Sequence, residues 1–386
     1  MRNSHEKQGL LGLILCVLCF FKLSQQASPP LPSNPRLINA YIALQAWKKA
    51  IISDPKDFTS NWKGQNVCIY NGVYCAPAPD NPYLMTVAAI DLNHADIKGT
   101  LPEELVLLED LAVFHINSNR FFSTIPQCFQ KLRLLHELDV SNNNFNGDFP
   151  RVLLHIPSLR YLDIRYNHFE GDVPSQLFDL KLDAIFLNNN KFSFTLPKNI
   201  GNSPVSVLVL ANNNVRGCLP TSLGKMAGTL NQIILNNGSI TGCLPPQISL
   251  LNHATVFDVS SNRLVGSLPE EMENMKRLEQ LNVAHNELSG DIPGSLCSLP
   301  KLQNFTYSDN YFSGEPKRCL KLPAKNDKKN CIPGRPAQRS EKECQAFDSH
   351  PVDCSAYGCF PRSSPPPPST PPLRYPPPPP DHHHYP

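Results

Sequence analysis

Much that would mark an enzyme or a membrane receptor is missing from this 386-residue chain. There is no GxSxG, no HExxH and no Walker loop, so the usual nucleophile, zinc and nucleotide signatures are absent. The CxxC pair Cys16 and Cys19 lies inside an N-terminal apolar segment. Excess charge of one sign is lacking too. The formal net charge is +2, which offers no electrostatic case for nucleic acid. Long apolar runs are scarce: Leu10–Phe21 is 12 residues, too short to cross a bilayer. No later segment holds 18 apolar residues in a row, so no transmembrane anchor is expected. Arg2 and Lys7 precede the run, and Ser24–Ser28 follow it, which predicts a secretory signal over residues 1–27.

What the chain has is a spacing. From Val87 to Pro316 the pattern LxxLxLxxNxFxGxIP returns about every 24 residues. Repeats start at Val87, Leu111, Leu135, Leu159, Leu182, Val205, Leu230, Ala254, Leu278 and Leu302. Ten such units define an α/β solenoid, a leucine-rich-repeat horseshoe in which each unit packs on its neighbours. The LxxLxL segment predicts a short strand with leucines inward and variable residues on an inner face. The Asn that follows (Asn119, Asn143, Asn167, Asn190, Asn213, Asn262, Asn286, Asn310) can satisfy backbone groups at a tight corner. Ala95 and Gly238 replace it in repeats one and seven. A Gly four residues later permits a turn, and the Pro of the LP or IP step fixes extended backbone. All of these are scaffold.

The flanks differ in composition. Residues 28–86 read as an N-terminal cap: Leu37, Ile38, Tyr41, Leu44, Trp47 and Ile51 give helical spacing over 37–52, stopped by Asp54-Pro55. Residues 87–316 are the repeats, 317–360 a Cys-rich hinge and 361–386 a Pro-rich tail. With 12 prolines in residues 363–386, the tail is expected to be disordered, extended polyproline II without a core. His382–His384 read as solvated tail rather than a metal site, and no cofactor is expected.

Eleven cysteines lie outside the signal, as suits an oxidising compartment. Cys68 and Cys75 are placed to staple the N-terminal cap. Cys218 and Cys243 share one slot of consecutive repeats, GCLP and GCLP. Stacked equivalent positions lie about 5 Å apart, within the span a disulfide needs, so these two are expected to pair. Cys297, Cys319, Cys331, Cys344, Cys354 and Cys359 are then expected to form three bridges in a C-terminal cap, with connectivity left open. Cys128 is odd: a free thiol, or half of an intermolecular bridge in a homodimer.

Three segments carry a family resemblance: the cap NWKGQNVCIYNGVYCAP, the array with NSPVSVLVLANN and LEQLNVAHNELSGDIP, and the hinge CIPGRPAQRSEKEC followed by PVDC. With the Pro-rich tail they resemble the plant leucine-rich repeat extensins over about residues 36–360. The resemblance implies a secreted, extracellular protein of the plant cell wall. It implies a repeat domain that binds basic, cysteine-rich RALF peptides, and a tail that contacts wall polysaccharide or wall protein. It also implies a part in wall formation and growth. Two departures stand out. The tail has a single unit of one serine followed by four prolines, Ser364–Pro368, of the form that is hydroxylated and arabinosylated in extensins, and Tyr375 and Tyr385 stand alone. In repeat two, Phe122 stands where the resemblance leads one to expect Cys, and Cys128 follows instead.

The variable strand positions are unequal. Repeats one to five offer Asp91, His115, Glu137, Asp139, Tyr161, Asp163, Arg165, Tyr166 and Phe186, whereas repeats six and seven offer Val207, Val209, Gln232 and Ile234. Carboxylates steer a cation and aromatics anchor it, so a basic peptide is expected on the N-terminal half, centred on Asp139, Tyr161, Asp163 and Phe186. Asn237-Gly-Ser and Asn304-Phe-Thr are glycosylation sequons at or near the strands. Asp139 and Asp163 are paired carboxylates, but an open face does not desolvate them as acid–base chemistry requires, so an enzyme is not expected. The alternative readings are an inhibitor of a secreted wall-degrading enzyme, like the polygalacturonase-inhibiting proteins, and a purely structural wall component. The former lack the PGRPAQRS hinge and Pro-rich tail.

Overall fold

Pro35 opens the first element of the described residues. In the computed structural model, which describes residues 34–359, helix α1 spans Pro35–Ala50. The expected signal, Ser364–Pro368, Tyr375, Tyr385 and His382–His384 lie outside the described residues. The Asn34 side chain accepts from the Arg36 amide, and Pro35 takes the first helical position, where a missing N–H is harmless. Ala40, Ala43, Leu44 and Trp47 form the buried stripe. Trp47 packs on Phe114 and Phe121 of repeat two at ring distances of 5.5 and 5.8 Å. Truncating so buried an indole costs on the order of 3–5 kcal/mol.

The helix ends at Ala50, two residues short of the expected 52. Ile51–Ser53 becomes a strand instead, antiparallel to Lys98–Gly99. The approach is close: a Cβ on Gly99 would sit 2.6 Å from the Ala50 carbonyl oxygen. Asp54 serves the turn beyond, accepting from the Phe58 and Thr59 amides. A hairpin of Val73–Ala78 and Asn81–Asp91 follows, stapled by Cys68–Cys75 as expected. Trp62 donates from Nε1 to the Asn71 carbonyl at 2.9 Å. Together these elements cover the open leucine edge of repeat one.

Two sheets run the length of the solenoid among the described residues, one of 12 strands and one of 11. The inner sheet stacks in repeat register, Asp91↔His115↔Asp139↔Asp163↔Phe186. The second sheet does not. There Gly217 pairs with Ile240 rather than with its equivalent Gly242, and Gly266 pairs with Leu288 rather than Gly290. Each of these strands of the second sheet is thus staggered by two residues against its neighbour. Between the sheets lies a continuous core of leucine, isoleucine and phenylalanine. It includes the stacked column Phe145, Phe169 and Phe192 at 6.3 and 6.2 Å.

The asparagines do what their spacing predicts. Asn143 Oδ1 accepts from the Phe121 amide at 2.9 Å, while Nδ2 donates to the carbonyls of Ile116, Val140 and Ser141. The same pattern recurs along the array, and Asn262 bridges past Gly238 to the Ile240 amide. The ladder extends one rung past the expected last repeat. Ala324–Asn326 adds a final strand, and Asn330 accepts from the Phe312 amide. Just after each inner strand one residue sits in the left-handed region, among them Tyr166, Asn189, Asn212 and Asn237 with φ between 52 and 58°. Asparagine tolerates that conformation better than most residues.

The cysteines correct two expectations. Cys218 does not pair with Cys243; Cys218 pairs with Cys359 and Cys243 with Cys354. The stagger of the second sheet explains this. With strands about 4.8 Å apart and a two-residue offset of about 6.6 Å, the two Cα atoms are about 8 Å apart, beyond reach of a disulfide. Nor do the last six cysteines form a closed C-terminal cap. Cys297–Cys319 and Cys331–Cys344 are local, while Cys354 and Cys359 reach back to repeats seven and six. Residues 340–359 therefore form a strap along the second sheet, built from helix α2 (Glu341–Asp348) and a short 3-10 turn, neither of which buries a residue. Cys128 is free, half-buried beside Glu103, and burial first, then Glu103, pushes its thiol up to about 12.

The hinge motif PGRPAQRS is also scaffold. Gln338 Oε1 accepts from the Asn330 and Ile332 amides. Arg339 donates from Nε to the Asn310 carbonyl at 2.7 Å and lies over Tyr311 at 4.2 Å. Arg335 lies 3.0 Å from the buried Glu315 and also pairs with Asp327.

Candidate functional site

The inner-sheet register places the expected residues in rows. Asp91, His115, Asp139, Asp163 and Phe186 form one row across five strands, and Glu137 and Tyr161 belong to the row beside it. Tyr166 stands apart at the left-handed turn, half-exposed at 50%. His115 Nε2 lies 3.1 Å from Glu137 Oε2.

One group is drawn into contact. Tyr161 and Phe186 rings meet at 5.7 Å, and the Arg165 guanidinium lies 5.0 Å over Phe186. Arg165 Nε also lies 3.0 Å from Asp163 Oδ2, and the Tyr161 hydroxyl donates to the same oxygen at 3.4 Å. Asp163 is 0% exposed, roofed by these neighbours. This corrects the expectation of an open carboxylate. Burial, then the nearby Asp139 charge, push the Asp163 carboxyl up to about 7, with Arg165 opposing. Burial and the two carboxylates push the Tyr161 phenol up to about 12. Asp163 therefore supports Arg165 and Tyr161 from below. The surface left accessible above it is formed by Tyr161, Arg165 and Phe186, with Asp139 and Glu137 beside them.

The acidic row has a second role that the spacing did not reveal. Asp91 Oδ1 accepts from the Asn93 amide, Asp139 Oδ1 from the Ser141 amide and hydroxyl, and Asp258 Oδ1 from the Ser260 amide and hydroxyl. Each carboxylate braces the turn into the left-handed residue, an Asx turn. The Asp-x-Ser spacing at a strand end was the available signal. One oxygen of each carboxylate is thereby committed to the backbone, and the other oxygen of Asp258 accepts from Asn282 Nδ2 at 3.2 Å. Below these rows the face is blander: Val207, Val209, Gln232 and Ile234 follow, as expected. Asn237 Nδ2 donates to Asn212 Oδ1 at 2.7 Å, and Thr306 donates to Asn304 Oδ1 at 3.3 Å. No cluster of metal-ligating side chains, and no helix long and apolar enough to cross a membrane, occurs among the described residues.

Comparison with known proteins agrees with this architecture. Three family models match: leucine rich repeat N-terminal domain over residues 41–76, leucine rich repeat over 109–169, and leucine rich repeat again over 277–299. Leucine-rich repeat extensin-like protein 6 of Arabidopsis thaliana is 71% identical over 336 residues, which cover 87% of this chain and 71% of that protein. Extensin-like proteins 2 and 3 of the same plant are 66% and 70% identical, and the chain spans only 42% and 44% of their lengths. Among solved structures, the Arabidopsis HAESA ectodomain in complex with an IDA peptide hormone is 26% identical. Its TM-score is 0.62, and the match covers 76% of this chain and 54% of that one. A plant ice-binding protein at 23% identity and TM-score 0.67, with 78% of this chain and 97% of that one covered, shares the fold.

Proposed function

The chain belongs to the plant leucine-rich repeat extensin-like family, a non-enzymatic family, and from that premise we propose that it is a secreted cell-wall protein whose inner face binds a basic peptide of RALF type. The observation that carries this reading is the Asp139–Tyr161–Arg165–Phe186 cluster. It combines a steering carboxylate, two aromatic anchors and a guanidinium held flat by a buried acid. Aromatic and arginine side chains dominate binding energy at such surfaces, and the carboxylates raise the rate at which a cation arrives. The HAESA ectodomain, of the same fold, is solved with a peptide hormone bound, which supports the choice of a peptide over a pectinase. In this role the protein links a secreted signal to wall formation and growth, with glycans on Asn237 and Asn304 bordering the face. The Pro-rich tail contacts wall polysaccharide or wall protein.

Titration of a RALF peptide against wild type and the Asp139→Ala/Tyr161→Ala double variant tests the assignment. Loss of affinity by tenfold or more, about 1.4 kcal/mol, is expected. Equal affinity would place the peptide elsewhere.

A further inference from the structure

A groove of about 730 Å³ lies on the opposite flank of the molecule, between the second sheet and the strap. Its floor is Val265, Glu287 and Tyr311, from repeats eight, nine and ten, and its walls are Phe347, Val352 and Tyr357 of the strap. Tyr311 and Phe347 stack at 3.9 Å, fixing one end, and the Cys243–Cys354 bridge fixes the other. Three carboxylates line it, Glu287, Glu343 and Asp353, and none of the lining residues is Lys or Arg. Glu343 and Asp353 are held below the usual carboxylate range by hydrogen bonds from Ser340 and Ser355, so both are ionised. Glu287 makes no ion pair among the described residues. His350 also lines it and the Arg339 guanidinium lies 4.2 Å over the Tyr311 ring, so with three carboxylates the groove is aromatic and on balance anionic.

The chain itself supplies a segment of matching chemistry. Residues 360–380 hold 12 prolines, Arg362 and Arg374, and no Asp or Glu. Proline-rich segments adopt extended polyproline II and dock on aromatic-lined grooves, at little entropic expense because they are already stiff. The segment starts next to Cys359, which is tied to Cys218, two residues beyond the groove-lining Tyr357. From Cys359 to Arg374 the chain can extend about 46 Å, whereas the groove floor crosses two strand spacings, about 10 Å. Reversal of direction is therefore within reach. Tethering also places the segment at an effective concentration on the millimolar scale, so modest contacts suffice.

We propose that residues 360–374 of this chain's own tail occupy the groove in cis, with Arg362 and Arg374 against Glu287, Glu343 and Asp353 and the prolines along Tyr357 and the sheet. The groove is then a dock for the start of the tail, separate from the inner face. Without the strap bridges it has no outer wall, so docking depends on both of them.

A photoreactive benzoylphenylalanine at Leu373 in the full chain tests this directly. Irradiation should give intramolecular cross-links to peptides containing Val265, Glu287 or residues 343–357. The tail variant Arg362→Glu/Arg374→Glu should lower that yield about tenfold, and adding Glu287→Lys should restore part of it. Cross-links scattered over the solenoid, concentrated on the inner face or joining two chains would overturn the proposal. So would a yield indifferent to charge reversal.

Discussion

Arg165 holds the carboxylate of Asp163 at 3.0 Å while that carboxylate is wholly excluded from solvent, so one ion pair has a buried half and an exposed half. Breaking such a pair from the exposed side strands a charge. The centre of the proposed site is for that reason rigid: Arg165 is pinned to Asp163 below and to the Phe186 ring beside it.

The pair gives a pH dependence of defined sign. Burial raises the Asp163 carboxyl to about 7 in the folded protein, against about 4 in an unfolded chain. Between those values the native state keeps a proton that the unfolded state has released. The contribution of this group is thus most favourable below about pH 4, falls as pH rises to about 7, then levels off. Thermal melts of wild type and Asp163→Asn across that window should diverge, the variant showing the flatter curve. Parallel curves would contradict the buried acid.

The asparagine ladder predicts a sharp contrast between neighbours. Asn143→Ala leaves the buried Phe121 amide and three carbonyls short of a partner, a loss of about 2–3 kcal/mol. Asn146→Ala, at an exposed position of the adjacent strand, should change stability by less than about 0.5 kcal/mol. Urea midpoints of the two variants measure the difference.

The strap bridges predict local rather than global release. Because α2 and the turn after it bury nothing, the paired changes Cys243→Ser/Cys354→Ser and Cys218→Ser/Cys359→Ser should free residues 345–359, beyond the Cys331–Cys344 bridge, while the two sheets persist. Limited proteolysis should then cut within the strap first, with far-ultraviolet circular dichroism unchanged. Cooperative loss of the whole fold would show that the strap supports the core.

Arg339 is predicted to resist conservative replacement. Its guanidinium stacks on Tyr311 while Nε reaches the Asn310 carbonyl, a geometry that an ammonium cannot reproduce. Arg339→Lys should speed amide exchange of the last rung nearly as much as Arg339→Ala. Rescue by lysine would show that charge alone matters there.

The repeats, the ladder and the N-terminal staple were legible because their signals are local and recur every 24 residues. Tyr161, Arg165 and Phe186 were legible as inner-face residues because strand alternation assigns a side. The burial of Asp163 was not, because its roof comes from side chains on two strands whose rotamers no periodicity encodes. Cys218–Cys359 was hidden for a different reason: the second sheet is staggered by two residues, and residues 340–359 fold backwards over it. The roles of Gln338 and Arg339 in closing the last rung depend on that same reversal, and α2 showed no apolar stripe to announce itself.

The stagger also bears on the order in which the chain acquires its bridges. Cys218 and Cys243 are made 141 and 111 residues before their partners. While the 111 residues from Cys243 to Cys354 are made, they are neighbouring free thiols on adjacent coils, in a compartment that oxidises thiols. In an unsheared sheet they would close on one another, and the strap would arrive to find its anchors spent. At about 8 Å apart on the formed sheet, the premature bridge is out of reach, and the two thiols wait for the C-terminal end.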